Sequence, residues 1–404
     1  MQRVKPFYKK VFEKIVVGIL AISGSITSLA VLLIVVFLFR EGFGLFNRPD
    51  ITEGYKLAVN SKNPVDKMDS KTIKVVFDQG ITNWKQLGGN NDSIIIFRLE
   101  DIGNYYTEGQ IGAKFENLPL CISKLTDSLP GILAFVPTKF ILKDFKGKLL
   151  KDKKISAKDF FLGKEWFPTS EPSAQLGVLP LILGTLWVSF GAILLSLPLG
   201  LAVAIYLAEI ADSRIRRLLK PVVELLSGIP SVVYGFFGLV IIVPLIQKAF
   251  NLPVGETALA GSLILAIMAL PTIITIAEDA LRTTPRDMKE ASLALGASHW
   301  QTIYRVVIPY SISGITAAAI LGIGRAIGET MAVLMVTGNA AVIPHSFLEP
   351  VRTIPATIAA ELGEASQGGL HYEALFALGC ILFILTLMVN ISVEYISRRR
   401  RYSK

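Results

Sequence analysis

A chain of 404 residues that is 52% hydrophobic and only 18% charged, with a mean hydropathy of +0.54, is too apolar for a soluble domain of this size and reads as a membrane protein. A formal net charge of +9 would also suit nucleic-acid binding, but the basic residues gather at the edges of apolar runs, where they report topology instead. Cys121 and Cys380 fall in unlike regions and the three histidines, His299, His345 and His371, are scattered, so neither a disulfide framework nor a metal site is expected.

In chain order, the first apolar run lies near 15–39, after Lys5, Lys9, Lys10 and Lys14. It is longer than the roughly 7–15 residues of a signal-peptide core and no small-x-small cleavage site follows, so it is expected to remain as an anchor. Residues 1–40 are thus assigned to a cytoplasmic N-terminus and first transmembrane helix. Residues 41–175 turn lysine-rich and irregular, far too long for a connector, and should fold as an external α/β domain. Alternation at 74–77, 93–97 and 132–136 suggests its strands.

The remaining 176–404 supply five further spans, near 178–207, 223–246, 257–281, 311–336 and 374–396, each long enough to cross about 30 Å of hydrocarbon. Arg214, Arg216, Arg217 and Lys220 follow the second span; Arg282, Arg286, Lys289 and Arg305 follow the fourth; Arg398 to Arg401 stand near the end. With the N-terminal lysines, all fall on one side of a six-span chain, which puts both termini in the cytoplasm. Pro198, Pro230 and Pro271 lie within or beside spans, where proline kinks a helix and frees carbonyls. Ser227, Gly228, Pro230 and Ser231 could instead interrupt span three at a pathway.

Two stretches carry chemistry. Between spans four and five, DMKEASLALGASHWQTIYRVVIP predicts a short helix ended by Gly296 in a left-handed conformation, then a second helix carrying Trp300 and Tyr304 to Pro309. In span five, GRAIGETMAVLMVTGN puts Arg325 and Glu329 four residues apart, on one face of a continuous helix. A charge at mid-membrane costs about 2.5–3.5 kcal/mol on the mildest scale, so such residues line a pathway or pair with each other. A guanidinium offers oxyanions a fixed fork of donors and stays ionised; Glu329 would hold it when the path is empty. Gly322, Gly324 and Gly328 would admit a close neighbour, and Thr330, Thr337 and Asn339 extend the polar surface outward. No GxxxxGK[ST] phosphate loop occurs in the sequence, so any ATPase is a separate chain.

Glu290, Ala291, Gly296 and Pro309, with Ser292, Val306 and Ile308 as mild departures, resemble the EAA loop of ATP-binding-cassette importer permeases. Together with FFLGKEWFPTSEP, LGVLPLILGTLWVS and SGIPSVVYGFFGL, the span-five segment resembles the PstC-type permease of the phosphate-specific ABC importer, from about 156 to 404. That resemblance implies an all-α bacterial inner-membrane permease of six transmembrane helices, paired with a second permease, two ATPase subunits that use ATP, and a periplasmic phosphate-binding protein. It implies no cofactor in this chain, phosphate as the transported anion, and transport roles for Arg325 and Glu329. The external segment, through LAVNSKNPVDKMDSKTIKVVFDQGITNWKQLGG, IIIFRLED and GILAFVP, resembles one lobe of a phosphate-binding protein. Arg98 and Gly103 survive at its anion-binding stretch, but Glu100, Ile102 and Asn104 supply no hydroxyl, so a docking or structural module is expected there. A phosphate-sensing signalling protein, and a permease for sulfate or molybdate, remain as alternatives.

Overall fold

The computed structural model describes residues 7–112 and 114–402, with side chains described for 12–112 and 114–395. Lys5 and both chain ends, and the side chains of Lys9, Lys10 and Arg398 to Arg401, lie outside that description. Among the described residues, five helical stretches are long and apolar enough to cross a membrane: Phe12–Asn47, Leu179–Ile210, Ser231–Phe250, Ala258–Arg282 and Leu370–Tyr395. A bent pair, His299–Tyr310 and Ile312–Gly328, passes the same test as one broken span, with a 71° angle at the break.

The first span is α1 (Phe7–Gly44). The α/β segment follows, with α2 (Ser70–Phe77), α3 (Glu108–Ile111), α4 (Leu118–Ser128) and α5 (Ala157–Leu162). Its sheet contains β1 (Tyr55–Val59), β2 (Ile95–Arg98), β3 (Ile132–Pro137) and β4 (Lys148–Leu149) in the order β2-β3-β1-β4. β2 runs parallel to β3, and β1 is antiparallel to both β3 and β4. Side chains alternate across the sheet as the pleat requires. Leu57, Val59, Leu133 and Phe135 face Ile73, Val76 and Trp84; Ala58, Phe97, Ile132, Ala134 and Val136 face Ile122 and Leu125 of α4. The expected strand at 74–77 is instead the end of α2. Ile73 and Val76 are buried there at a three-residue spacing, so the apolar pattern has the helical period and not the strand's. The strand Tyr55–Val59 was not anticipated.

A short hairpin, β5 (Trp166–Phe167) with β6 (Gln175–Leu176), leads into the helical core. The core continues with α6 (Leu179–Ile205), α7 (Ser213–Ser227), α8 (Ser231–Phe237), α9 (Val243–Phe250) and α10 (Ala258–Arg282). After these come α11 (Arg286–Ala294), α12 (His299–Thr302), α13 (Ile308–Tyr310), α14 (Ile312–Gly328), α15 (Met331–Val336), α16 (Ile354–Glu361) and α17 (Leu370–Tyr402). π-turns at 206–210, 238–242 and 303–307 join several of these into longer spans.

Two expected spans shift. Span three does not begin at 223: α7 is a separate amphipathic helix whose exposed apolar side includes Leu218, Val222 and Leu225, and the membrane-length stretch begins at Ser231. Pro230, extended at φ −59° and ψ 143°, separates the two, and the leucines of α7 blur that boundary in a hydropathy profile. Span five does not run unbroken over 311–336. Glu329 is extended, at φ −72° and ψ 132°, so α14 stops at Gly328 and α15 restarts at Met331.

Where the α/β segment meets the helices, Asp50 is 5% exposed. Its N–H donates to Lys153 O at 2.8 Å and its carbonyl accepts from Ser173 Oγ at 2.6 Å, yet its Oδ1 has no partner. Burial pushes this carboxyl up to about 6. Folding thus favours the protonated acid: its stabilising effect is complete at pH values below the ordinary carboxylate range and is lost as pH rises through about 6. Asp50→Asn should therefore raise the unfolding midpoint of the full chain at pH 7.5 and leave it nearly unchanged at pH 4, measured by thermal scanning with proteolysis between residues 48 and 176. Trp84 is fully buried, and Trp84→Ala should destabilise the same segment by about 3–5 kcal/mol, read as earlier cleavage in that range.

Candidate functional site

The loop between spans four and five forms a helix-turn-helix. After Pro285 begins α11; Gly296 sits at φ +83°, where an L side chain is strained, and reverses the chain. Ser298 then caps α12 reciprocally: Gln301 N–H donates to Ser298 Oγ at 3.2 Å and Ser298 N–H to Gln301 Oε1 at 2.8 Å, a capping box. Ser292 and Thr302 hydroxyls bond at 3.0 Å across the two helices, so the serine of the loop motif ties its halves together. Glu290 and Ala291 are exposed. Leu295, at 90% exposure, and Trp300, at 60%, project an apolar patch that the chain does not itself cover. Pro309 lies in α13 just before the bend at Ser311, whose Oγ donates to Ala280 O at 2.9 Å.

Charge fixes this loop to the helices behind it. Lys289 Nζ reaches Glu209 Oε1 at 2.6 Å. Glu278, 1% exposed on α10, lies among Lys220 at 3.3 Å, Arg282 at 3.6 Å and Arg216 at 3.9 Å, which ties α7 to α10. A buried carboxylate is tolerated only with compensating charge. Sequence reasoning missed Glu278, although an acid near the end of the apolar run ITIAEDALR was a visible signal.

At the other end of α14, Arg325 is half-buried and its Nη1 donates to Thr272 Oγ1 at 3.2 Å. It also lies within electrostatic reach of Tyr234, whose hydroxyl donates to Leu226 O at 2.8 Å across the Ser227–Ser231 turn. Thr272 and Tyr234 were not singled out from the sequence, since nothing local links them to Arg325. The expected Arg325–Glu329 pair is not formed. Because α14 ends at Gly328, Glu329 leaves the helix face, and its Oε1 instead accepts from Ala332 N–H at 3.5 Å, at the start of α15. Thr330 Oγ1 donates to Gly328 O at 3.3 Å.

Thr337 is fully buried and donates to Val333 O at 3.0 Å, within the helix packing. Asn339, at φ +51°, donates through Nδ2 to Leu334 O at 2.7 Å and lines a cavity of about 340 Å³ with Glu256 and Met335. Ser227 donates to Glu224 O at 2.6 Å, and Gly228 and Pro230 form the exposed break between α7 and α8. Of the glycines expected to admit a close neighbour in α14, Gly322 packs closely on Ile273, 2.7 Å from where its Cβ would be, whereas Gly324 and Gly328 have nothing within 4 Å. Among the described residues no group of three or more His, Cys, Asp or Glu side chains is placed to hold a metal, and Cys121 and Cys380 are free and buried.

In the α/β segment, Arg98 is exposed at the end of β2, with its guanidinium 5.4 Å above the Phe77 ring. A 3-10 turn, Leu99–Asn104, follows it, and Asp101 Oδ2 accepts from Arg98 N–H at 2.9 Å. The Asp101 carboxylate thus stands at the start of this turn, where its charge opposes an anion beside Arg98.

Residues 196–402 match the family of binding-protein-dependent transport system inner membrane components. A probable ABC transporter permease of Bacillus subtilis is 39% identical over 248 residues, 61% of this chain and 80% of the relative. The phosphate transport system permease protein PstC of Mesorhizobium japonicum is 39% identical over 259 residues, 59% of this chain and 78% of the relative. The protein of the same name from Haemophilus influenzae is 34% identical over 287 residues, 66% of this chain and 90% of the relative.

Gly296→Ala tests the turn of the loop. No atom lies within 4 Å of the added methyl, so the cost is that of the left-handed backbone alone, about 1–2 kcal/mol. Amide hydrogen exchange over 295–302 should rise about tenfold, with the α/β segment unchanged.

Proposed function

Because the chain belongs to the inner membrane components of binding-protein-dependent transport systems, and among them to the PstC-type permeases, we propose that it forms half of the path by which phosphate enters a bacterial cell. The carrying observation is Arg325: a cation inside an apolar helix, supported by a hydroxyl at 3.2 Å, and not neutralised by the nearby Glu329. Such a guanidinium is available to a passing oxyanion, which it can meet with two parallel hydrogen bonds.

The same helix links that cation to a source of force. From Ser311, held to Ala280, α14 runs without interruption to Gly328, so displacement of the helix-turn-helix around Glu290, Ala291, Gly296 and Pro309 would be carried to Arg325. The exposed Leu295 and Trp300 suit docking onto a separate ATPase subunit, one of two, which would bind the ATP. A second permease would complete the path as a heterodimer, and a periplasmic phosphate-binding protein would deliver the anion. The chain would sit in the inner membrane with both termini in the cytoplasm, as its basic loops favour. The α/β segment would lie outside as a docking or structural module, and Thr330 and Asn339 would line the outer part of the path.

Tetrahedral oxyanions share the geometry that Arg325 would recognise, so sulfate and molybdate form the nearest alternative. In proteoliposomes holding the whole importer, Arg325→Gln should reduce ATP-driven phosphate uptake at least tenfold, since hydrogen bonds to charged groups contribute about 1.5–3 kcal/mol, while subunit assembly is retained. Undiminished uptake would remove Arg325 from the path. Competition by sulfate or molybdate equal to that of unlabelled phosphate would reassign the cargo, and phosphate binding without accumulation would favour a sensor.

A further inference from the structure

The α/β segment grips the connection between α16 and α17 at both ends. At one end, Trp166 Nε1, on a ring 1% exposed, donates to Glu361 Oε2 at 3.0 Å. The same carboxylate meets Arg352 Nη2 at 2.9 Å and His371 Nε2 at 2.9 Å. At the other end, Arg48 Nη2 donates to Gly368 O and Glu373 Oε1, both at 2.6 Å. Arg48 and Trp166 belong to the segment that precedes α6, and their partners lie near the far end of the chain.

An adjacent side of α16 faces the break in span five, with Ile358 shared between the two sides. A cavity of about 460 Å³ is lined by Gly328 and Thr330 on one wall and by Pro355, Ile358, Ala359 and Leu362 on the other. Pro355, Ala359 and Leu362 follow the helical period and form one face, while Ile354, Glu361 and Ala365 turn toward Trp166 and Phe160. α16 thus lies between the α/β segment and the point where α14 gives way to α15. One side carries apolar surface toward the cavity, and Glu361 presents a carboxylate toward the segment.

Burial alone would raise the Glu361 carboxyl, but hydrogen bonds from His371 and Trp166 and the charge of Arg352 hold it below the usual carboxylate range. An ionised acid that accepts hydrogen bonds from Trp166 and His371 and is paired with the Arg352 cation is a strong anchor, because losing one partner leaves a buried charge less satisfied.

We propose that Glu361 is a positioning residue through which the α/β segment holds α16 over the break at Gly328 to Thr330, so that this segment sets how readily the outer end of the path opens. The inference rests on the reading that this break belongs to the transport path. It assigns the segment a mechanical role that needs no anion site of its own.

The test uses the complete importer in sealed, right-side-out vesicles. Cys121→Ser and Cys380→Ser remove the native thiols, and Thr330→Cys reports access to the cavity through its labelling rate with a membrane-impermeant maleimide. Adding Glu361→Ala should raise that rate at least tenfold, since it removes both charge-assisted hydrogen bonds and the ion pair at once. Trp166→Phe, which keeps the ring and removes the donor, should raise it less, and Glu361→Gln, which keeps an acceptor, should restore most of the protection. Unchanged labelling in an assembled Glu361→Ala complex would overturn the proposal. Should that variant fail to assemble, unchanged labelling in Trp166→Phe would overturn it instead. Labelling is read without any anion, so an importer that proves to carry sulfate would alter the assigned cargo and leave this inference standing or falling by itself.

Discussion

Close packing around α10 is the constraint from which the rest of the helical core follows. It is the most buried of the membrane-length helices, and its neighbours reach it through residues without side chains. Gly200 of α6 and Gly322 of α14 both press on Ile273, and Gly191 of α6 lies against Ser262. In hydrocarbon there is no gain from merely hiding apolar surface from water, so helices associate through such close contacts and through hydrogen bonds. The Ser262 hydroxyl, which reaches Val188 O of α6 at 3.2 Å, supplies one of these polar contacts. Once the three helices are fixed, α10 offers polar groups at set heights. Thr272 meets Arg325, Ala280 O receives Ser311, and Glu278 gathers the cations of α7 and its own last turn.

That ordering ties the helix-turn-helix to the helix that carries Arg325. The helix-turn-helix is braced at Ser292 and Thr302, at Lys289 and Glu209, and at Ser311 and Ala280. Each brace is a part-buried polar contact, partly shielded from water. α14 then extends as a single rigid element to Gly328. Beyond that residue the chain is extended at Glu329 and turns helical again only at Met331, and the break lies where a moving helix would have to yield. Irregular backbone at this depth is tolerated because it borders a cavity and neighbouring helices instead of lipid.

The α/β segment has an independent core on either side of its sheet, yet it is not merely appended. Leu45, Phe160, Trp166 and Leu176 share one apolar cluster with Ile354, Leu375 and Leu378, and the polar ties from Arg48 and Trp166 surround that cluster. An apolar contact resists separation in any direction, whereas the ion pairs fix orientation. The combination holds the segment against α16 and the N-terminal end of α17.

Much of this was legible from sequence alone, because hydrophobic period and glycine or proline placement act locally. The membrane character, most of the spans, the left-handed turn at Gly296 and the presence of Arg325 in an apolar helix follow from properties of adjacent residues. The strand at 132–136 is similarly visible, while the helix containing residues 74–77 is not, because the helical spacing there starts at Ile73, outside that four-residue window. What only the tertiary structure decided depends on groups distant in the chain. Local sequence suggested an Arg325–Glu329 pair four residues apart, but the helix ends between them, and Arg325 finds Thr272, 53 residues away. Trp166 finds Glu361 across 195 residues. A charge beside hydrocarbon must be compensated, and the sequence states that requirement wherever it places the charge. Which partner meets it depends on how the helices pack, and no short window of sequence contains that information.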